Sequence, residues 1–389
     1  MRTRKVVQVL TSPDDLVDPR VDLLELRFDL HDGFDPARYE LPCIATVRRK
    51  QDGGAWSGGP RQPLFDRARG AAYFDLEVDA EPITVPEGTR VLRSVHDLRG
   101  MRYDRDAMRG DLIKIVVTPP DAVRALELVG VGFGLGDAAR FTRFLGPLVY
   151  CSRTPVVPGI PTPEELFDEL GFERLSNRPG LFGVAGDPIE HSESPRIHNP
   201  ALRRDGLDAL YLRFPLSDLR PFWPRFVECG GLGLSITAPL KVQAAALARD
   251  PDADVRACGA ANTLLADGRA ANTDYRAFLE LIPGARGRAL VMGAGGSARA
   301  AVVALRELGY TVSVWSRRPE QAAALGTAVD TPRSADVIVN TTPRTHPEGR
   351  FVIDLRYGES RPPADIDGRA FLWAQARYQY RLFTGGDLD

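Results

Sequence analysis

The sequence predicts an α/β protein in two regions: a shortened (β/α)8-type barrel, then a two-lobed α/β region whose second lobe is of Rossmann type. Three observations predict it. Short β-branched or leucine-rich runs alternate with helix-like or loop segments over the first 150 residues. Four prolines between Pro155 and Pro163 interrupt that pattern, and it resumes at Leu181. Within the second region an apolar run, the turn Gly293-Ala294-Gly295-Gly296-Ser297 and an amphipathic stretch follow one another directly. Strands alternating with helices imply parallel pairing, because a parallel crossover needs a long connection.

In chain order, strands are expected at 6–10, 22–28, 44–47, 72–76, 91–94, 112–117 and 131–135. Seven or eight strands in one domain suggest a barrel, and the short connections make it a small one. A helix is expected over 120–129. The run PEELFDELGFERL reads as one helix ending near Gly171, and Ser176-Asn177-Arg178-Pro179-Gly180 reads as a linker. The expected divisions are therefore 1–160, a helix and linker over 161–180, and 181–389. In the last region one lobe spans about 181–276 plus 358–389, and the nucleotide lobe about 277–357. That lobe carries strands at 289–292, 310–315, 335–340 and 351–355, with a helix over 299–308 closed by Gly309.

The formal net charge is −2, which gives a nucleic-acid role no support. No apolar run of about 18 residues exists, so no membrane span is expected. The N-terminal run MRTRKVVQVL is too short for a signal-peptide core. Cys43, Cys151, Cys229 and Cys258 lack metal-ligand spacing and read as reduced thiols. A cytoplasmic protein without a metal site is expected, and a homodimer is allowed for.

Of the fifty lysines and arginines, four are lysines: Lys5, Lys50, Lys114 and Lys241. A lysine retained among 46 arginines is a candidate for chemistry closed to a guanidinium, since an amine can release its proton or condense with a carbonyl. Lys5 and Lys50 read as solvated charge. Lys114 lies in an apolar strand, an environment expected to lower its pKa and free its amine. Lys241 follows a proline-marked turn.

Glycines 293, 295 and 296 let the backbone approach a pyrophosphate, and the helix start offers free N–H groups. Ala294, Ser297 and Thr341 complete the expected cofactor contacts. Where an NAD site places an acid, about 23 residues beyond Gly293, the chain has Ser316-Arg317-Arg318. Missing acid and paired guanidiniums favour NADP(H).

Five motifs occur in order over 181–389: HSESPRIHN, GLSITAPLK, GAANT, NTD and GAGG. They resemble shikimate dehydrogenase. The resemblance implies reduction of 3-dehydroshikimate to shikimate with NADPH, with Lys241 and Asp274 as the catalytic pair. It also implies that Ser192, Ser194, Thr237, Asn262, Tyr357 and Gln375 hold the substrate. Tyr275 stands where the family usually has glycine after NTD, and the loop 340–346 lacks the family's glycine.

Over roughly 5–160, LELRFD, Thr46-Val47-Arg48, Ser94-Val95-His96-Asp97 and DLIK resemble type I 3-dehydroquinate dehydratase. That resemblance implies a Schiff base at Lys114 with 3-dehydroquinate, His96 as the proton carrier, and Glu25, Arg27, Arg48 and Arg143 as substrate ligands. Asp52 falls where the family has a glutamate near the histidine. Val156-Val157-Pro158-Gly159-Ile160 replaces the family's polar closing loop. Two readings follow: a bifunctional enzyme catalysing consecutive steps, or a dehydrogenase whose barrel is a noncatalytic scaffold. A third option is an NAD-linked quinate or shikimate oxidase.

Overall fold

Alternate residues of a strand face opposite sides of a sheet, so one parity of each short run must find a core. In the computed structural model, which describes residues 4–284, 286–356 and 363–388, the chain divides into two units, Met1–Pro179 and Gly180–Asp389.

The first unit holds β1 (Lys5–Leu10), β2 (Leu23–Arg27), β3 (Cys43–Thr46), β4 (Tyr73–Glu77), β5 (Arg90–Asp97), β6 (Leu112–Val117), β7 (Phe133–Gly134) and β8 (Leu148–Cys151). They form one parallel sheet in the order β7-β6-β5-β4-β3-β2-β1-β8. The strand runs read from sequence stopped short of β8, whose four residues lie in a proline- and glycine-bounded stretch. The sheet is curled. Glu25 and Lys114 lie on strands four steps apart, roughly 19 Å in a flat sheet, yet their side chains meet at 3.0 Å. The edge strands approach through Phe133 and Tyr150, whose ring centres are 5.6 Å apart. Among the described residues β7 and β8 share no ladder, so the barrel is open at that seam.

The outer helices are much reduced. The stretch 120–129 forms a helix only over Ala122–Ala125, capped by Asp121, and a 3-10 turn at Leu126–Leu128. Between β3 and β4 a 3-10 turn covers Lys50–Asp52 and a short α-helix covers Gln62–Arg67. The segment 161–179, expected as helix and linker, belongs to the first unit. Its wide-turn helix at Glu165–Glu169 buries Leu166 and Phe167. Arg20 stacks on the Phe167 ring at 4.6 Å and pairs with Asp168 at 2.6 Å. Gly171, with φ of 62°, ends this stretch where the sequence placed its stop.

The second unit has two lobes. Strands β9 (Gly180–Gly186), β10 (Ala209–Pro215), β11 (Gly231–Ile236), β12 (Asp250–Pro251), β13 (Thr263–Leu265) and β14 (Arg269–Ala271) make a mixed sheet, ordered β10-β9-β11-β13-β14-β12. Strands β15 (Gly287–Met292), β16 (Tyr310–Trp315), β17 (Thr327–Ala328), β18 (Ala335–Asn340), β19 (Gly349–Asp354) and β20 (Ile366–Asp367) make a parallel sheet, ordered β17-β16-β15-β18-β19-β20. Counted from its first strand this is order 3-2-1-4-5-6, the Rossmann arrangement. Because β20 joins this sheet, the nucleotide lobe extends past the expected end at 357. The chain leaves it on the helix Gly368–Thr384, capped by Asp367 accepting from the Ala370 N–H. Phe371 and Ala374 of that helix pack in the Rossmann core, while Ala376 and Tyr380 pack in the core of the other lobe.

Phe167→Ala should cost about 3–5 kcal/mol, the usual price of emptying a buried aromatic site. In thermal unfolding of the full chain, the transition of the first unit should move down and that of the second stay in place. An unmoved first transition would mean that 161–179 is a tether only.

Candidate active sites

In the second unit, the crevice at the ends of β15 and β16 runs into a cavity of about 1140 Å³ that reaches both lobes. Lys241 opens the helix Lys241–Leu247 and Asp274 lies in the first turn of the helix Thr273–Leu281. The first turn of a helix favours a carboxylate, because its free N–H groups carry partial positive charge. Lys241 Nζ donates to Asp274 Oδ2 at 2.5 Å and to Ser297 Oγ at 2.8 Å, and Ser297 Oγ donates to the same carboxylate oxygen at 2.9 Å. Asp274 Oδ1 accepts from Asn262 Nδ2 at 2.8 Å. Both carboxylate oxygens are thus fixed, which leaves the lysine one free N–H direction.

Ser192, Ser194, Thr237, Asn262 and Gln375 line the same cavity. The serine hydroxyls are 3.3 Å apart. Asn262 is spent differently from Ser192 and Ser194. Its amide also binds Thr273 Oγ1 at 2.8 Å, and its carbonyl oxygen accepts from the Thr273 N–H, so its neighbours are the chain's own groups. Tyr357 lies outside the described residues.

Gly293, Ala294, Gly295, Gly296 and Ser297 line the cavity's nucleotide end, with Ser316, Arg317, Arg318 and Thr341. Gly293 has φ of 115°, and a side chain there would meet Thr341 Oγ1 at 2.2 Å. At Gly296 a Cβ would lie 2.5 Å from that of Lys241, so only glycine lets this turn reach the lysine. Arg344 also lines the cavity and stacks on Trp315 at 5.6 Å. Sequence reading did not single out Arg344; the loss of glycine from loop 340–346 was its only signal. The hydroxyl contact of Ser297 with the lysine was equally invisible, since its motif reads as phosphate binding.

In the first unit, one parity of the strands faces the barrel interior. Val7, Leu23, Ile44, Tyr73, Leu92 and Leu148 form an apolar layer there. Two residues further along their strands, the same face carries Glu25, Thr46, Asp75, Ser94 and Tyr150, with Lys114 beside them. Lys114 Nζ donates to Glu25 Oε1 at 3.0 Å and Asp75 Oδ2 at 3.4 Å, and sits 4.2 Å from the Tyr150 ring centre. The surroundings of Lys114 are therefore carboxylates and a ring, and the apolar environment expected for it is not what the barrel supplies. Arg48 pairs with Asp75 and, at 2.8 Å, with Glu77, and donates to Ser94 Oγ at 3.0 Å. Burial raises the Asp75 carboxyl, but Arg48 and Lys114 more than offset this and hold it below the usual range. Asp75 was missed in the sequence although it is an acid two residues beyond the inward-facing Tyr73 on the same strand.

His96 lies among these cations. Burial, then Arg48 and Lys114, push its pKa well below the ordinary value, so the imidazole is neutral; its buried Nδ1 has no hydrogen-bond partner among the described residues. Asp52 pairs with Arg49 at 2.6 Å, and no contact joins it to His96 among the described residues. Arg27 makes a forked pair with Asp29 at 2.8 and 2.7 Å. Arg143 is buried over the Phe133 ring, at 5.2 Å, and reaches the Pro158 carbonyl at 3.3 Å. It has no acidic partner among the described residues, and burial, with Arg140 nearby, lowers its pKa to about 10. Val156 and Ile160 pack on the barrel's apolar cluster.

The crevice geometry defines a two-lobed α/β protein with a Rossmann nucleotide lobe and a lysine–aspartate pair at the lobe junction. A shikimate dehydrogenase (NADP(+)) of Sulfolobus acidocaldarius is 32% identical over 250 residues, which cover 56% of this chain and 94% of that protein. The chain belongs to the shikimate dehydrogenase family. Residues 184–264 match the family model for the shikimate dehydrogenase substrate binding domain, and residues 2–131 that for type I 3-dehydroquinase. The chain is also similar to the bifunctional 3-dehydroquinate dehydratase/shikimate dehydrogenase, chloroplastic, of Arabidopsis thaliana, 26% identical over 376 residues covering 79% of this chain and 62% of that one. A solved shikimate 5-dehydrogenase of Thermus thermophilus in complex with shikimate is 33% identical, covering 54% of this chain and 94% of that one with a TM-score of 0.49. The chain spans 30% to 62% of the length of several curated relatives it matches.

Below the serines, His198 stacks on Tyr211 at 4.4 Å, and burial pushes its pKa down to about 3. Because the folded value lies below the unfolded one of about 6.5, the unfolded chain takes the proton first as pH falls. Stability of the second unit should therefore be full above pH ~6.5 and fall by up to about 1.4 kcal/mol per pH unit below it. His198→Phe should flatten that slope in denaturant titrations; an unchanged slope would assign it to other groups.

Proposed function

We propose that the chain is a bifunctional enzyme: 3-dehydroquinate is dehydrated to 3-dehydroshikimate in the barrel, and 3-dehydroshikimate is reduced to shikimate in the second unit with NADPH. The observation that carries this is the pair of buried lysines, each held against a carboxylate in its own unit.

In the second unit, Gly293, Gly295 and Gly296 give a backbone cradle for a pyrophosphate, and Arg317 and Arg318 offer guanidiniums to a 2′-phosphate. The nicotinamide, when bound, supplies the hydride. Lys241 donates a proton to the ketone oxygen as it gains charge, and Asp274 with Ser297 aims that N–H. Ser192, Ser194 and Thr237 hold the ring's polar groups.

In the barrel, the Lys114 amine adds to the substrate ketone, and loss of water leaves a protonated imine that makes the neighbouring C–H acidic. Neutral His96 takes that proton and returns it to the departing hydroxyl, so water leaves and a double bond forms. Hydrolysis of the imine releases the ketone product and restores the amine. Arg143, a buried cation without an acidic partner among the described residues, suits the substrate carboxylate. The scaffold reading is favoured by one observation, the apolar side chains of Val156 and Ile160 turned onto the barrel core.

Lys114→Arg should abolish dehydration and leave reduction at the wild-type rate, while Lys241→Ala should do the reverse. Borohydride with 3-dehydroquinate should fix an adduct on Lys114, read by mass spectrometry. No dehydration and no adduct on Lys114 in the wild type would leave only the scaffold reading.

A further inference from the structure

Tyr150 on β8 is 4% exposed, and its hydroxyl is buried without a hydrogen-bond partner among the described residues. Its ring is well used: Phe133 packs against it at 5.6 Å and the Lys114 ammonium sits 4.2 Å from its centre. A phenylalanine would make both contacts. The oxygen adds only a cost, because a buried O–H that gives up water and gains no partner destabilises the fold. Tyrosine hydroxyls buried in proteins usually find a partner. One that has none, on the inward face that also carries Glu25, Asp75 and Lys114, is a donor kept for something outside the chain.

The neighbours agree. His96 Nδ1 is a second buried polar atom without a partner in the same interior. Burial, then the charges of Glu25 and Asp75, hold the phenol well above its ordinary pKa, so it stays a neutral O–H donor. The segment 156–160 offers only valine, proline, glycine and isoleucine side chains, so it adds no polar side chain to that interior.

We propose that the Tyr150 hydroxyl is a substrate-contacting residue of the barrel site, donating a hydrogen bond to an oxygen of the carboxylated cyclohexane polyol held at Lys114. The inference rests on the dehydratase reading and extends its site to a residue outside the expected set.

The test is Tyr150→Phe in the full chain, with three readouts beside the wild type: thermal unfolding, the steady-state rate with 3-dehydroquinate, and borohydride trapping at saturating substrate. The variant should unfold at the same or a higher temperature, since only an unpartnered oxygen is lost. It should keep the Lys114 adduct and lose about tenfold or more in kcat/KM, the worth of one hydrogen bond to substrate. An unchanged kcat/KM overturns the inference and leaves the dehydratase reading standing. A lower unfolding temperature with a lower rate also overturns it, because the hydroxyl then holds the fold. No dehydration and no adduct in the wild type rejects the dehydratase reading, and this inference with it.

Discussion

An ammonium leaves water at great cost unless a carboxylate goes with it, and the chemistry inferred for both halves of the chain depends on that constraint. Lys241 is buried against Asp274, and Lys114 against Glu25 and Asp75. In each case the carboxylate is itself anchored, by Asn262 and Ser297 in one site and by Arg48, Ser94 and Thr46 in the other. The anchors fix the lysine's direction. Positioning of this kind lets an amine meet a carbonyl without first reorganising its surroundings.

The barrel achieves this with little outer helix. Its charged interior is held by buried arginines rather than by thickness of packing. Arg61, 1% exposed, binds the Val47 carbonyl at 2.9 Å, Glu77 at 2.7 Å and Glu81 at 2.8 Å. Glu77 also receives Arg48. This network runs between strands near the C-terminal ends of β3, β4 and β5, where barrel chemistry is sited. Breaking one member would strand a buried charge, so the site and the fold of this unit are coupled energetically.

Sequence periodicity exposed most of the fold, because apolar alternation and glycine turns are local signals. Tyr310–Trp315 and Ala335–Asn340 stand where the pattern places them. β8, with four residues, gives too short a pattern, and the helix and linker read over 161–180 did not reveal their packing on the first unit, because burial of Phe167 and Phe172 is tertiary. The residues proposed as reactive stand out in the sequence as rare types at motif positions: two lysines among arginines, an aspartate after Asn272-Thr273, a histidine ending a strand. Asp75, Tyr150 and the hydroxyl of Ser297 were not. Their importance comes from atoms brought together across strands or lobes, which spacing along the chain does not encode. Asn262 shows the same limit, since the amide that looks free for a ligand is occupied by Asp274 and Thr273.

In the proposed reaction sequence one chain turns a tertiary alcohol into an enone and then reduces the ketone. The direct measurement supplies 3-dehydroquinate as the sole carbon substrate with NADPH and the purified protein. Nicotinamide absorbance and product identity are followed together. A lag is expected, then oxidation of NADPH matched mole for mole by shikimate. Oxidation that begins only when 3-dehydroshikimate is added would contradict it.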